Sequence, residues 1–299
     1  MMKILNPSIK LKNVINRSDY ENIKNLENIC SEYDNTSLKL ELDYKLSNSK
    51  PKEVDLVNIN EFMYYNGDEL IGYMGICDFG GDEIEVNGMV HPGYRRMGVF
   101  KRLFSLVRDE WQKRKSSSML LLSDHDSTPG IEFIKSVCDG YAHSEYDMIL
   151  NIDNFQKLKS ERLKLRKVTR DDASEIARQN SIYFNMEFSE EENIETEGGY
   201  KNITYMAENE GGAVGKVRIE LNNKLGGIYG LGVMPEYRGL GFGRKILSMA
   251  IEELLKHKAG SIFLQVLTNN KNALNLYKSC GFEERYTMDY YVINNKSGE

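Results

Sequence analysis

The chain has 299 residues, of which 40% are apolar and 28% are charged. This length predicts two domains of roughly 150 residues, each able to bury its own core. The net charge of −6 argues against a nucleic-acid partner, which needs a basic surface, and weakly favours a cationic one.

Hydropathy and cysteine usage narrow the class of protein further. No apolar run approaches the ~20 residues of a membrane-spanning helix, so we expect no membrane partner. The first residues lack the apolar segment of a secretory signal. The four cysteines are far apart and show no metal-ligand spacing, which predicts reduced thiols, no metal site and a cytoplasmic protein. They are Cys30, Cys77, Cys138 and Cys280.

The first half of the chain predicts alternating helices and strands. A capped apolar period indicates a helix over 18–31, and alternating leucines indicate a strand over 37–46. Asn66-Gly67 lies between two apolar runs and predicts a hairpin of residues 62–65 and 70–77. The elements that follow are strand 84–90, helix 97–114, strand 118–123, helix 129–138 and strand 141–151.

The second half repeats this order. Its predicted elements are strand 162–168, helix 170–183, a hairpin of 205–208 and 214–221, strand 227–233, helix 239–257, strand 260–267, helix 270–279 and strand 282–292. Three pairs of residues recur at a spacing of 143: Pro92 and Pro235, Tyr94 and Tyr237, and Arg95 and Arg238. We therefore expect a duplication, with domains at 1–155 and 161–299.

One stretch of the second half points to a ligand. Residues 228–233 predict a strand, and Arg238 to Gly243 then hold three glycines in six residues before an apolar helical period. Glycines let the backbone approach a ligand closely, and the first N–H groups of a helix favour an anion. An ordinary strand-to-helix turn is the alternative.

The turn Arg238-Gly-Leu-Gly-Phe-Gly243 is followed by Asn270-Lys-Asn-Ala-Leu-Asn-Leu-Tyr277-Lys-Ser-Cys-Gly281-Phe282. Together these motifs resemble the GNAT superfamily of N-acetyltransferases, over roughly residues 163–293. The resemblance implies an α/β (α+β) fold. With the duplication, it implies two tandem GNAT-like domains, each a mixed, mostly antiparallel sheet flanked by helices, with a splayed central pair of strands.

The resemblance also implies direct acetyl transfer from acetyl-CoA, the cosubstrate, to a primary amine, with no metal. Tyr277 would be catalytic by protonating or hydrogen-bonding the leaving thiolate, although a core tyrosine is the alternative. A backbone N–H near residues 231–233 would polarise the thioester carbonyl. The implied acetyl-CoA-binding residues are Leu231, Gly232, Val233, Arg238, Gly239, Leu240, Gly241, Phe242, Gly243, Arg244 and Asn270. Capping of a helix alone would also explain Asn270.

Two departures from the family pattern matter. Many members carry a carboxylate in the strand before the turn, but Gly227-Ile-Tyr-Gly230 has none, so Glu220, Glu187 or a water chain stay open as the base. The first copy carries Phe100 at the last glycine position and lacks a tyrosine matching Tyr277. We expect it to be a structural or acceptor-side partner, with a weak second acetyl-CoA site as the alternative.

The sequence leaves several candidates for the molecule that accepts the acetyl group. Six glutamates lie between residues 187 and 197, either as a solvated face or as groups that attract a cationic amine. A small cationic amine is the leading expectation. A peptide or protein N-terminus and a non-enzymatic acyl-CoA sensor are alternatives, and a homodimer is left open.

Overall fold

The computed structural model describes residues 2–47, 58–79, 81–158, 162–184, 202–222 and 224–295. Its helices are α1 (Arg17–Asp34), α2 (Leu42–Ser47), α3 (Val99–Trp111), α4 (Thr128–Val137), α5 (Ala173–Phe184), α6 (Phe242–Lys256) and α7 (Lys271–Lys278). Its strands are β1 (Pro7–Lys12), β2 (Glu61–Asn66), β3 (Glu69–Cys77), β4 (Glu83–Val90), β5 (Ser118–Asp124), β6 (Gly140–Leu150), β7 (Lys164–Lys167), β8 (Asn202–Asn209), β9 (Gly212–Asn222), β10 (Leu225–Val233), β11 (Ser261–Leu267) and β12 (Phe282–Asn294).

The chain forms two compact units, Met1–Ser144 with Tyr286–Glu299, and Glu145–Arg285. In the first unit the strands follow the order β1-β2-β3-β4-β5-β12, and in the second the order β6-β11-β10-β9-β8-β7. Each has one parallel pair, β4 with β5 or β10 with β11, among antiparallel ones. This mixed, mostly antiparallel architecture confirms the predicted fold class.

Each unit takes its final strand from the other half of the sequence. Residues of β12 from Met288 onward pair with β5, and residues of β6 from Glu145 onward pair with β11. The predicted domain limits at residues 155 and 161 follow the sequence repeat and stay a prediction. The compact units have different limits, because β6 and β12 are exchanged between the two halves of the sequence.

The core of the second unit shows why the apolar period of α6 forms a helix. Ile246, Leu247, Ala250, Ile251 and Leu254 recur on one face and are at most 1% exposed. They pack against β9 and β10. Burial of each large side chain stabilises the fold by about 1.5–3 kcal/mol.

Most predicted elements are present, including the hairpin at Gly67, which has φ +63°. The strand predicted over 37–46 is wrong, because residues 42–47 form α2. The chain turns at Glu41, which has φ +53°, and Lys45 of α2 points inward to Glu61, with Nζ 2.8 Å from Oε1. The predicted start of a helix at residue 239 is also wrong, because α6 begins at Phe242.

Two further findings concern membranes and cysteines. No helix in the described residues is long and apolar enough to cross a bilayer. The four cysteines are free thiols, three of them buried and Cys138 half-buried.

Candidate functional site

The glycine-rich turn of the second unit joins β10 to α6. Pro235–Tyr237 form one 3-10 turn, and the Arg238 Nε donates to the Val233 carbonyl at 3.0 Å. Gly239 and Gly241 have φ +76° and +79°, the left-handed region that favours glycine. A Cβ added at either position would meet no atom within 4 Å, so both face open space.

The first turn of α6 presents its backbone to that space. Gly241 is the N-cap, and the first intrahelical bond runs from the Lys245 N–H to the Gly241 carbonyl. No side chain of the described residues caps this end. The N–H groups of residues 242–244 are therefore available to an anion, with the positive end of the helix dipole behind them. Arg238 and Arg244 are both exposed beside it.

The strand before the turn has an irregular edge. Pairing of β10 with β11 runs from Leu225 to Ile228, and the pairing with β9 shifts by a bulge between Tyr229 and Gly232. Gly230 has φ +55° within that bulge. In the described chain, the edge of β10 that faces away from β9 is therefore unpaired at residues 229–233. It can pair with an extended group as it would with another strand.

The structure brings α7 to the same place. A Cβ on Gly243 would lie 3.3 Å from the Leu276 side chain and 3.6 Å from that of Val233. The end of β10, the first turn of α6 and α7 therefore meet at Gly243. Leu240, at the tip of the turn, is 63% exposed, and its binding role stays a prediction.

Tyr277 follows Leu276 on α7 and is 9% exposed. Burial raises the pKa of Tyr277 to about 12. Its hydroxyl makes no hydrogen bond within the described part of the chain. Because the folded-state pKa lies far above neutrality, the phenol keeps its proton and can donate a hydrogen bond.

Asn270 caps α7, with its side-chain oxygen accepting from the Ala273 N–H at 3.1 Å. This capping accounts for an asparagine at the helix start without a ligand. A contact of Asn270 with a cofactor stays a prediction.

The candidate bases are unequally placed. Glu220 is half-buried and lies opposite Gly227 in the β9–β10 register. Gly227 is four residues before Leu231, or roughly 13 Å along the strand. Glu220 could reach a group at Leu231 only through water. Glu187 and the acidic stretch at 187–197 lie outside the described residues.

The corresponding turn of the first unit keeps the backbone but not the side chains. The Arg95 Nε donates to the Val90 carbonyl at 3.1 Å, and Gly98 has φ +81° at the N-cap of α3. The Arg95 guanidinium is bound by both oxygens of Asp34, at 2.7 and 2.5 Å. Phe100 packs edge-on against Phe133 of α4, with ring centroids 4.7 Å apart.

Sequence reasoning missed Tyr183, at the end of α5. A Cβ on Gly232 would lie 2.1 Å from two carbons of the Tyr183 ring, so the ring rests on the backbone of β10. No local pattern marks Tyr183, because its partner lies 49 residues away. Among the described residues, no group of three His, Cys, Asp or Glu side chains could hold a metal ion.

Comparison with known proteins finds similarity in the second unit. Residues 171–282 match the profile of the Acetyltransferase (GNAT) family. An N-alpha-acetyltransferase of Sulfurisphaera tokodaii is 31% identical over 72 residues, which are 24% of this chain and 43% of that protein. The [ribosomal protein bS18]-alanine N-acetyltransferase of Escherichia coli is 37% identical over 57 residues, 19% of this chain and 38% of the relative. The chain thus spans less than half the length of these curated relatives.

Solved structures resemble the whole chain. A GCN5-related N-acetyltransferase from Sphaerobacter thermophilus has a TM-score of 0.75 at 17% identity, covering 96% of this chain and 95% of that one. A tandem GNAT protein from the clavulanic acid biosynthesis pathway has a TM-score of 0.69 at 14% identity, covering 98% and 100%. At these identities the likeness establishes a shared fold, including the two-domain form.

Proposed function

We propose that the second unit, whose residues 171–282 match the profile of the Acetyltransferase (GNAT) family, transfers an acetyl group from acetyl-CoA to a primary amine. The observation that carries the proposal is the uncapped N-terminus of α6, which opens behind two left-handed glycines. Open space at both glycines fits a pyrophosphate that approaches the backbone. Residues 238–244 would hold it.

The edge of β10 would bind the pantetheine arm, and a backbone N–H at residues 231–233 would polarise the thioester carbonyl. The amine would then attack the carbonyl carbon, the carbon–sulfur bond would break with the thiolate as the leaving group, and the proton that the amine nitrogen loses would pass to water. The leaving thiolate would receive a hydrogen bond from Tyr277. A thiol has an ordinary pKa of about 8.5. The Tyr277 phenol, with its pKa of about 12, therefore keeps its proton, which favours hydrogen bonding over full proton transfer.

The acceptor has two candidates. The net charge of −6 weakly favours a small cationic amine. A peptide α-amine is favoured by the relatives, two of which are named N-alpha-acetyltransferase and ribosomal-protein alanine N-acetyltransferase. In both cases the attacking group is a neutral primary amine, so the two candidates share one mechanism.

The test is release of free thiol from acetyl-CoA in the presence of polyamines, aminoglycosides and short peptides with a free N-terminus. Tyr277→Phe should lower turnover by about tenfold or more with little change in acetyl-CoA affinity. Tyr205→Phe is the matched control, since Tyr205 is a buried tyrosine of the same core on β8. Binding of acetyl-CoA without release by any amine would instead support an acyl-CoA sensor.

A further inference from the structure

The Tyr183 ring covers one face of β10 beside its unpaired edge. The ring carbons would lie 2.1 Å from a Cβ at Gly232, a distance that no real side chain could occupy. Glycine at this position therefore lets the ring lie directly against the strand. Successive residues of a strand face opposite sides, so Val233 points to the other face, toward Leu276.

The Tyr183 ring is held in place from its own helix. Its hydroxyl donates to Gln179 Oε1 at 3.1 Å, and Gln179 is fully buried. Gln179 in turn donates to Glu175 at 2.7 Å. The hydroxyl is thus engaged away from the strand, and what the ring offers to β10 is an apolar wall.

The first unit lacks this wall. In the second unit, Gly232 lies opposite Lys216 of β9. In the first unit, Met89 lies opposite Tyr73 of β3, and Tyr73 precedes Lys216 by 143 residues, the spacing of the repeat. Met89 therefore occupies the place of Gly232, and its side chain is buried in the cluster that includes α1. A flat ring cannot rest on the strand there.

We propose that Tyr183 sets the length of the acyl group that the second unit accepts. This inference rests on the proposed function, which places the thioester along the edge at residues 231–233. An acyl chain longer than acetyl would extend from that edge over the face of Gly232 and meet the fixed ring. Tyr183 is therefore a specificity-determining residue that admits acetyl and excludes longer chains.

The experiment compares dissociation constants of acetyl-CoA and butyryl-CoA by titration calorimetry, with no acceptor present. In the wild type we expect acetyl-CoA to bind more tightly. In Tyr183→Ala the ratio of the two constants should shift toward butyryl-CoA by about tenfold or more, the size of effect that pocket contacts with one or two methylenes give. Tyr183→Phe keeps the ring but loses the hydrogen bond to Gln179, so the ratio should shift by less than it does in Tyr183→Ala. Tyr183→Leu tests the same shift in a protein that keeps an apolar side chain at this position.

An unchanged ratio of the two dissociation constants in folded Tyr183→Ala or Tyr183→Leu would overturn the inference. If the wild type still binds acetyl-CoA, that result leaves the proposed function in place. Failure of both thioesters to bind the wild type would overturn the proposed function and the inference with it.

Discussion

The turn between β4 and α3 and the turn between β10 and α6 have the same backbone conformation. Their side chains, which could contact a ligand, differ in type or in partner. Both follow a 3-10 turn, both arginines bond the last carbonyl of the strand, and both helices begin at a glycine with φ near +80°. Yet Arg238 is exposed, whereas Arg95 is bound to Asp34. The left-handed N-cap glycine is therefore a requirement of the fold, and the second unit differs from the first by the exposed Arg238 and by a further left-handed glycine, Gly239.

The difference also revises the explanation for the first unit. A phenylalanine at the last glycine position would crowd a pyrophosphate only if it faced the ligand, and the Phe100 ring packs against Phe133 of α4. The stronger contrast is electrostatic, because Asp34 neutralises the arginine of that turn. Arg96 also replaces Gly239 in the left-handed region, at φ +65°.

The largest expected effect comes from substituting the N-cap glycines, Gly98 and Gly241, and it distinguishes their contribution to stability from a contribution to acetyl-CoA binding. Gly241→Ala and Gly98→Ala should each lower the free energy of unfolding by about 1 kcal/mol, because both positions require positive φ. Only Gly241→Ala should weaken acetyl-CoA binding, by about tenfold to a hundredfold, since it adds a methyl where a phosphate approaches the helix N-terminus.

Calorimetric affinity and urea unfolding of the two variants measure these effects. The binding stoichiometry in the wild type and in Gly98→Ala should be one acetyl-CoA per chain. Equal losses of affinity, or a stoichiometry of two, would mean that the first unit also binds acetyl-CoA.

Substitution of Arg238 and of Arg95 should likewise affect binding in one case and stability in the other, with a smaller change in affinity. Arg238→Ala should lower acetyl-CoA affinity by about tenfold through loss of a charge-assisted hydrogen bond, with little change in stability. Arg95→Ala should leave affinity unchanged and destabilise the fold by about 1–2 kcal/mol, because Asp34 loses both of its bonds.

Affinity at two salt concentrations, together with the denaturation midpoint, provides the check. If Arg95→Ala lost as much acetyl-CoA affinity as Arg238→Ala, the pairing of Asp34 with Arg95 would not prevent the turn of the first unit from binding acetyl-CoA.

Local signals in the sequence predicted much of this comparison. The glycine-punctuated turn, the apolar period of α6 and the 143-residue repeat depend on neighbouring residues or simple periodicity. The strand β1 was missed because it is an edge strand without a buried residue. The strand predicted over 37–46 was wrong because its leucine alternation also fits a turn at Glu41 followed by a short helix.

The remainder depends on contacts between distant residues. β6 and β12 occupy the same place in the repeat, so nothing local tells which sheet each of them completes. Likewise, the packing of Tyr183 on Gly232 joins a helix to a strand that follows much later. The roles of Tyr277 and of residues 238–244 in acetyl transfer stay predictions.

A smaller effect concerns backbone strain in the first turn. Arg96 has φ +65°, where an L side chain is disfavoured by about 1–2 kcal/mol, and the equivalent Gly239 has φ +76°. Arg96→Gly should raise the free energy of unfolding by about 0.5–1 kcal/mol, since glycine also gains freedom in the unfolded chain. Gly239→Arg should lower it by a similar amount. Urea denaturation of both variants measures the change, and destabilisation by Arg96→Gly would contradict the strain argument.

The smallest effect depends on pH and belongs to the first unit alone. His125 follows β5 at the position where the second unit has Thr268 after β11. The hydrogen bond from its Nδ1 to buried Asp289, at 2.8 Å, raises the pKa of His125. Asp124 and Asp126 flank the ring in sequence and act in the same direction.

A folded-state pKa above the unfolded value of about 6.5 means that this pair stabilises the fold fully below pH 6.5. The contribution is then lost as the pH rises through the folded-state pKa. Since the His125 side chain is 64% exposed, solvent screening limits the effect to about a few tenths of a kcal/mol. Urea unfolding at pH 5.5 and 8.5 should show this loss in the wild type and in Thr268→Val but not in His125→Gln. An equal pH dependence in all three proteins would remove the pair from the difference between the units.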